Sequence, residues 1–191
     1  TGINWIDTAP AYGGGHSEKV IGMALKQTDY KPYLATKCGS YCDENGQLAN
    51  SLDKQHIFDQ CRRSLDLLGV DTVDLLQMHW PLPEKDIEKG WEAMAECVES
   101  GWTRHIGVSN FSVGQIEKIS SIYPVESLQP KYSMLSRDIE NQMLPYCQQN
   151  NIGVVCYSPM QMGLLTGKFS HDYVKNLAED DIRRRFPPFQ E

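Results

Sequence analysis

Short apolar runs alternate along this chain with amphipathic stretches, and the two periods predict strands and helices in strict succession. Trp5 and Ile6 read as the end of a buried strand with Asp7 at its carboxyl end, after which Pro10 and Gly13 force a loop that presents Tyr12. Ser17 and Glu18 open a helix running to about Gln27, its apolar face supplied by Val20, Ile21, Ala24 and Leu25. Residues 33–38 are a short, mostly apolar strand with Lys37 out of place near its far end. A polar loop is expected over residues 39–51. Asp53 then caps a helix in which Ile57, Cys61, Leu65 and Leu68 recur at steps of three and four before Gly69 ends it.

The alternation continues to the end of the chain. Residues 71–79 form a strand that finishes on His79, followed by Trp80 and Pro81. Asp86 begins a helix that carries Ile87, Trp91, Met94 and Val98 on one face and stops at Gly101. Residues 104–110 are a strand ending in Ser109 and Asn110, and Ser112 with Gln115 spells a capping box for the next helix. A short strand over residues 127–129, a helix from Asp138 to about Asn150, and a strand over residues 153–157 complete the series. Strands that alternate with helices lie parallel and are joined by right-handed crossovers.

Two architectures satisfy this order: an open doubly wound sheet, and an α/β barrel of eight strands. The polar residues decide between them. Asp7, Lys37, His79, Asn110, Gln129 and Tyr157 each stand at the carboxyl end of a different strand, and a barrel gathers those ends around one mouth. No Gly-x-Gly-x-x-Gly turn follows a strand, and Gly13-Gly14-Gly15 lacks the Lys-Ser or Lys-Thr of a phosphate loop. The expected fold is therefore a TIM (β/α)8 barrel that is incomplete here, about six of its eight strands being present.

Composition narrows the partners. The 191 residues are 40% hydrophobic and 23% charged, as in an ordinary globular domain, and no linker or composition shift divides them. A net charge of -7 without a clustered basic face argues against nucleic acid and anionic membranes, which leaves small molecules as ligands. No segment approaches a membrane span, and nothing at Thr1 resembles a secretory signal. Cys38, Cys42, Cys61, Cys97, Cys147 and Cys156 show no Cys-x-x-Cys spacing and read as reduced core residues, from which a cytoplasmic location is expected. No pattern here fixes an oligomeric state.

Four side chains around one mouth suggest a reaction. A free Tyr, with a pKa of about 10, is a poor proton donor near neutrality unless a cation stabilises its phenolate. Lys37 is the candidate cation, and Asp7 is the counter-charge that keeps a buried Lys ionised. A neutral His79 could donate to a carbonyl oxygen and share the charge that develops there. Such a set protonates an oxyanion, which is what a carbonyl becomes on receiving hydride. The alternative is an unrelated ion pair beside a core His.

The stretches Trp5-Ile6-Asp7-Thr8-Ala9 with Tyr12-Gly13, Ala35-Thr36-Lys37, residues 75–81, residues 106–111 and Tyr157-Ser158-Pro159 resemble the aldo-keto reductase family, in its order and at its spacing. The likeness is greatest to bacterial members whose cofactor loop reads Tyr-Ser-Pro-Leu; Met160 stands for that Leu. The resemblance implies an NAD(P)H-dependent oxidoreductase that reduces aldehydes or ketones with NADPH, NADH not being excluded, and without metal. It implies Tyr12 as general acid, Lys37 and Asp7 as the pair that tunes it, and His79 as the group orienting the carbonyl. Ser109, Asn110 and Gln129 match positions holding the nicotinamide carboxamide, and Tyr157 the aromatic stacked on its ring. Ser158, Pro159, Met160, Gly163 and Lys168 match the loop following the pyrophosphate, and Trp80 falls where substrate pockets are lined.

The resemblance also implies a strand and helix before Thr1 and a helix and strand after Glu191, making residues 1–191 a single barrel domain truncated at both ends. Arg183, Arg184 and Arg185 read either as phosphate contacts or, better, as a solvated run. Two other classes stand beside the reductase: a cofactor-binding regulator resembling potassium-channel beta subunits, and a metal-dependent hydrolase using His16, His79 and Asp7, which lacks a His-x-His pair.

Overall fold

A computed structural model describes residues 2–186 and residue 189, and of His171 and Arg185 the backbone only. Six parallel strands form its main sheet: β1 (Trp5–Asp7), β2 (Tyr33–Cys38), β5 (Val73–Met78), β6 (Thr103–Ser109), β7 (Ser127–Gln129) and β8 (Gly153–Val154), side by side in that order. Between β2 and β5 lies a small antiparallel hairpin, β3 (Ser40–Cys42) with β4 (Leu48–Asn50). The loop expected over residues 39–51 thus contains two strands. Each is only three residues long, too short for alternation to reveal, and Asn45-Gly46 supplies the turn between them.

Helices α1 (His16–Leu25), α2 (Lys54–Leu68), α3 (Ile87–Glu99), α4 (Val113–Ser120), α5 (Met143–Gln149) and α6 (His171–Lys175) follow in chain order. Asp53 caps α2 through the N–H groups of Gln55 and His56, and Gly69 ends it in the left-handed conformation. The capping box of Ser112 and Gln115 is present at the start of α4. The single helix expected from Asp138 to Asn150 is instead a 3-10 turn, Asp138–Glu140, and the separate α5. Pro145 sits in the first turn of α5, where its missing N–H costs no helical bond.

Period two sorts the strands into two faces. Leu34, Cys38, Leu76, Met78, Ile106, Val108 and Leu128 point outward into one buried apolar cluster with Ile57, Cys61 and Leu65 of α2, Trp91 and Met94 of α3, and Ile116 and Ile119 of α4. Trp91 is fully buried and still donates its indole N–H to the Tyr123 carbonyl at 2.9 Å. The opposite face carries Ala35, Lys37, Gln77, Gly107, Ser109, Ser127 and Gln129, which are small or polar. At Gly107 the neighbouring strand comes so close that an added Cβ would lie 2.9 Å from the Ser127 Cβ.

The sheet has two edges, β1 and β8. Trp5, expected to be buried, is 37% exposed because β1 has only β2 beside it. Edge position also corrects the cysteines. Cys38, Cys61, Cys97 and Cys147 are buried, but Cys42 in the hairpin is half-buried and Cys156, just past β8, is exposed. Among the described residues no helix is long and apolar enough to cross a membrane.

Candidate active site

Register places the inward polar residues at one end of the sheet. Asp7 pairs with Ala35, Lys37 with Gln77, and Ser109 with Gln129. Past β1 the chain turns through Gly13 and Gly14, both near φ +60°, a conformation glycine adopts without strain. That turn sets Tyr12 over Lys37.

Lys37 is completely buried, and its three ammonium hydrogens meet three oxygens: Asp7 Oδ1 at 2.6 Å, the Thr8 carbonyl at 2.9 Å and the Tyr12 hydroxyl at 3.3 Å. Asp7 Oδ2 accepts from Gln129 Nε2 at 3.0 Å and more loosely from Gln77 Nε2 at 3.4 Å. The charge of Lys37 is thereby matched and its donors are satisfied, as burial of an ammonium requires. Tyr12 is 41% exposed, so its hydroxyl is reachable from outside while its base of support is not.

His79 follows β5 and meets Tyr12 edge to face, ring centroids 5.7 Å apart. Burial, and then the Lys37 charge, push its pKa down to about 4, Asp7 opposing the shift. His79 is therefore a neutral imidazole near pH 7. Its Nδ1 is buried with no hydrogen-bond partner among the described residues.

Asn110 ties three strand ends together. Its backbone is left-handed at φ +64°, and its amide donates to the His79 carbonyl at 3.1 Å and to Ser109 Oγ at 3.0 Å while accepting from the Tyr157 hydroxyl at 2.8 Å. Ser109 Oγ donates in turn to the Gln129 carbonyl at 2.9 Å. Burial pushes the Tyr157 phenol pKa up, so it serves as a neutral donor.

These residues surround a cavity of about 470 Å³. Of the positions singled out in the sequence, Asp7, Tyr12, His79, Trp80, Ser109, Asn110, Gln129, Tyr157 and Ser158 line it, and Lys37 lies directly beneath. Pro159, Met160, Gly163 and Lys168 do not reach it; Met160, Gly163 and Lys168 belong to the loop that continues the wall, which includes the left-handed residues Gln161 and Met162. Lys131, Gln161, Met162, Phe186 and Phe189 also line the cavity and were not anticipated. The two phenylalanines arrive from a segment far along the chain, which no local pattern can reveal. Lys131 had a signal: it stands two residues past Gln129, hence on the same face.

Arg183 and Arg184 do not line the cavity. Arg183 pairs with Asp181 at 2.5 Å, Arg184 donates to the Leu177 carbonyl at 3.1 Å, and the Arg185 side chain lies outside the described residues. His16 opens α1, is exposed and does not line the cavity that holds His79 and Asp7, and among the described residues no cluster of three or more His, Cys, Asp or Glu could hold a metal ion.

Parallel strands, outer helices and a polar cluster at the strands' carboxyl ends define an incomplete (β/α)8 barrel with its site at the barrel mouth. The chain belongs to the aldo/keto reductase family, whose model matches residues 1–187. It is 36% identical over 195 residues to the aldo-keto reductase yakc [NADP(+)] of Schizosaccharomyces pombe, covering 99% of this chain and 57% of that protein. Identity is also 36%, over 186 residues, to the NADH-specific methylglyoxal reductase of Escherichia coli, covering 91% of this chain and 57% of that one. The solved glycerol dehydrogenase of Gluconobacter oxydans superposes with a TM-score of 0.90 at 36% identity, over 100% of this chain and 59% of that structure. The chain thus spans a little over half the length of these relatives.

Proposed function

We propose that this chain carries the proton-transfer site of an NADPH-dependent carbonyl reductase, as one part of a single barrel domain. The observation that supports this best is the Tyr12 hydroxyl resting on the buried Lys37 ammonium at 3.3 Å, with Asp7 on the ammonium's other side at 2.6 Å. A phenol that gives up its proton leaves a phenolate, and a desolvated cation in hydrogen-bond contact stabilises that product directly. Tyr12 delivers the proton to the carbonyl oxygen. Lys37 holds the charge left on Tyr12, Asp7 fixes Lys37, and neutral His79 polarises the carbonyl without competing as an acid.

The nicotinamide cofactor, when bound, supplies the hydride. The donor set of the cavity suits its carboxamide. Both amide hydrogens of Asn110 and the hydroxyl hydrogen of Ser109 are already used within the protein, so what these side chains keep open is acceptor capacity. Gln129 Oε1 adds a further acceptor that has no protein partner among the described residues. Acceptors are what an amide NH2 group needs. Tyr157, bonded through its hydroxyl to Asn110, offers its ring as a wall on which a flat heterocycle can stack. The fission yeast relative is named for NADP and the Escherichia coli relative for NADH, so NADPH is the first choice and NADH the alternative.

The test is a fluorescence titration with NADPH followed by 4-nitrobenzaldehyde in the same cuvette. Saturable binding followed by consumption of NADPH is the expected result, with no change after exhaustive chelation. Tight binding with no consumption would overturn the reductase reading in favour of a cofactor-binding regulator.

A further inference from the structure

The groups so far assigned leave the cavity's charge unbalanced. Lys37 and Asp7 neutralise each other at 2.6 Å, and His79 carries no charge near pH 7. Lys131 remains. Two hydrogen bonds fix the backbone around it, Tyr157 N–H to the Pro130 carbonyl at 2.9 Å and Tyr132 N–H to the Tyr157 carbonyl at 3.3 Å, and an isolated parallel bridge aligns Lys131 with Tyr157 itself. Lys131 is exposed and lines the cavity together with Tyr157, Ser158 and Gln161. Among the described residues no carboxylate pairs with its ammonium, although the chain carries a net charge of -7.

Trp80, Met162, Phe186 and Phe189 line the same cavity, so an exposed cation and an apolar wall share one opening. An apolar wall with one cation beside it suits a ligand with an apolar body and an anionic end. We propose that Lys131 is the anion-recognising residue of this cavity, pairing with a carboxylate or phosphate oxygen of the bound ligand. That oxygen belongs either to an acidic carbonyl substrate or to a phosphate of the cofactor; the proposal rests on the reductase reading only for the identity of those ligands.

Binding is read from the quenching of intrinsic tryptophan fluorescence, Trp80 being part of the wall. NADPH, 4-formylbenzoate and its neutral methyl ester are titrated into the unsubstituted chain and into Lys131→Met, Lys131→Arg and Lys131→Glu. For one of the two anionic ligands, Kd is expected to rise about fivefold in Lys131→Met, more in Lys131→Glu, and little in Lys131→Arg, with the differences shrinking as salt is added. The ester should bind all four proteins alike. A response confined to NADPH assigns the phosphate, and one confined to 4-formylbenzoate assigns the substrate carboxylate. Unchanged affinity of both anions in Lys131→Glu would overturn the proposal, as would equal weakening of the ester, which would make Lys131 a packing residue. Charge-dependent binding without any turnover would sustain the proposal and overturn the reductase reading instead.

Discussion

The ammonium of Lys37 sits between Asp7 Oδ1 at 2.6 Å and the Tyr12 hydroxyl at 3.3 Å, and Lys37 itself has no exposed surface. A cation so placed is stable only while its counter-charge is present. Asp7→Ala removes that charge and leaves a buried ammonium unpaired, at a cost of about 3 kcal/mol by the usual penalty for breaking a buried pair. The expected outcome is a fall in the urea midpoint at unchanged slope. Lys37→Met should cost less stability than Asp7→Ala, because Asp7 is partly solvated and keeps its two glutamine donors.

His79 titrates unlike a free imidazole. With its folded pKa near 4 against an unfolded value near 6.5, the unfolded chain binds the extra proton first as pH falls. The contribution of His79 to stability is therefore fully present above pH 6.5 and is lost progressively toward pH 4. NMR of the His79 ring should give a midpoint near 4, and a His79→Gln variant should lose less stability than the parent between pH 6.5 and 4.

Glu18 shows the opposite sign. It is fully buried in the first turn of α1, accepts the Thr36 hydroxyl at 2.6 Å, and leaves Oε2 without a partner among the described residues; burial pushes its pKa up. A carboxyl with a raised folded pKa costs nothing at low pH and becomes a penalty once the unfolded chain ionises. Glu18→Gln should accordingly be more stable than the parent at pH 7, and the advantage should disappear below about pH 4, a crossover that paired thermal melts would show.

Asn110 combines strain with function. Its left-handed φ of +64° favours glycine, yet its amide makes three bonds that join the ends of β5, β6 and β8. Asn110→Ala loses the bonds and keeps the strain, for a cost of about 2–3 kcal/mol, whereas Asn110→Gly relieves the strain and should cost about 1 kcal/mol less. Both should weaken NADPH binding by about tenfold, which a fluorescence titration measures.

Much of this site is legible in the sequence because a parallel barrel turns strand order into position. Asp7, Lys37, His79, Asn110 and Gln129 fall at strand ends that period two locates, and the structure gathers them at one cavity. What period two cannot locate is structure that local pattern does not determine. The hairpin β3–β4 is held by backbone pairing over three residues a side. The wall formed by Gln161 and Met162 depends on successive left-handed residues, only the last of which, Gly163, is a glycine. Lys131 reaches the cavity through an isolated bridge beyond the end of β7. Trp5 and Cys156 were misplaced for one reason: burial of an edge strand depends on neighbours that its own sequence does not encode.

The central claim is that Tyr12 gives up the proton. The most direct measurement is the single-turnover rate of NADPH oxidation by 4-nitrobenzaldehyde in Tyr12→Phe, alongside the Kd for NADPH. Removing one hydroxyl from a half-exposed ring should lower the rate by about 10²–10⁴-fold and leave the Kd within about twofold. A rate equal to that of the unsubstituted chain would contradict the account and return Tyr12, Lys37 and Asp7 to the role of a structural ion-pair cluster.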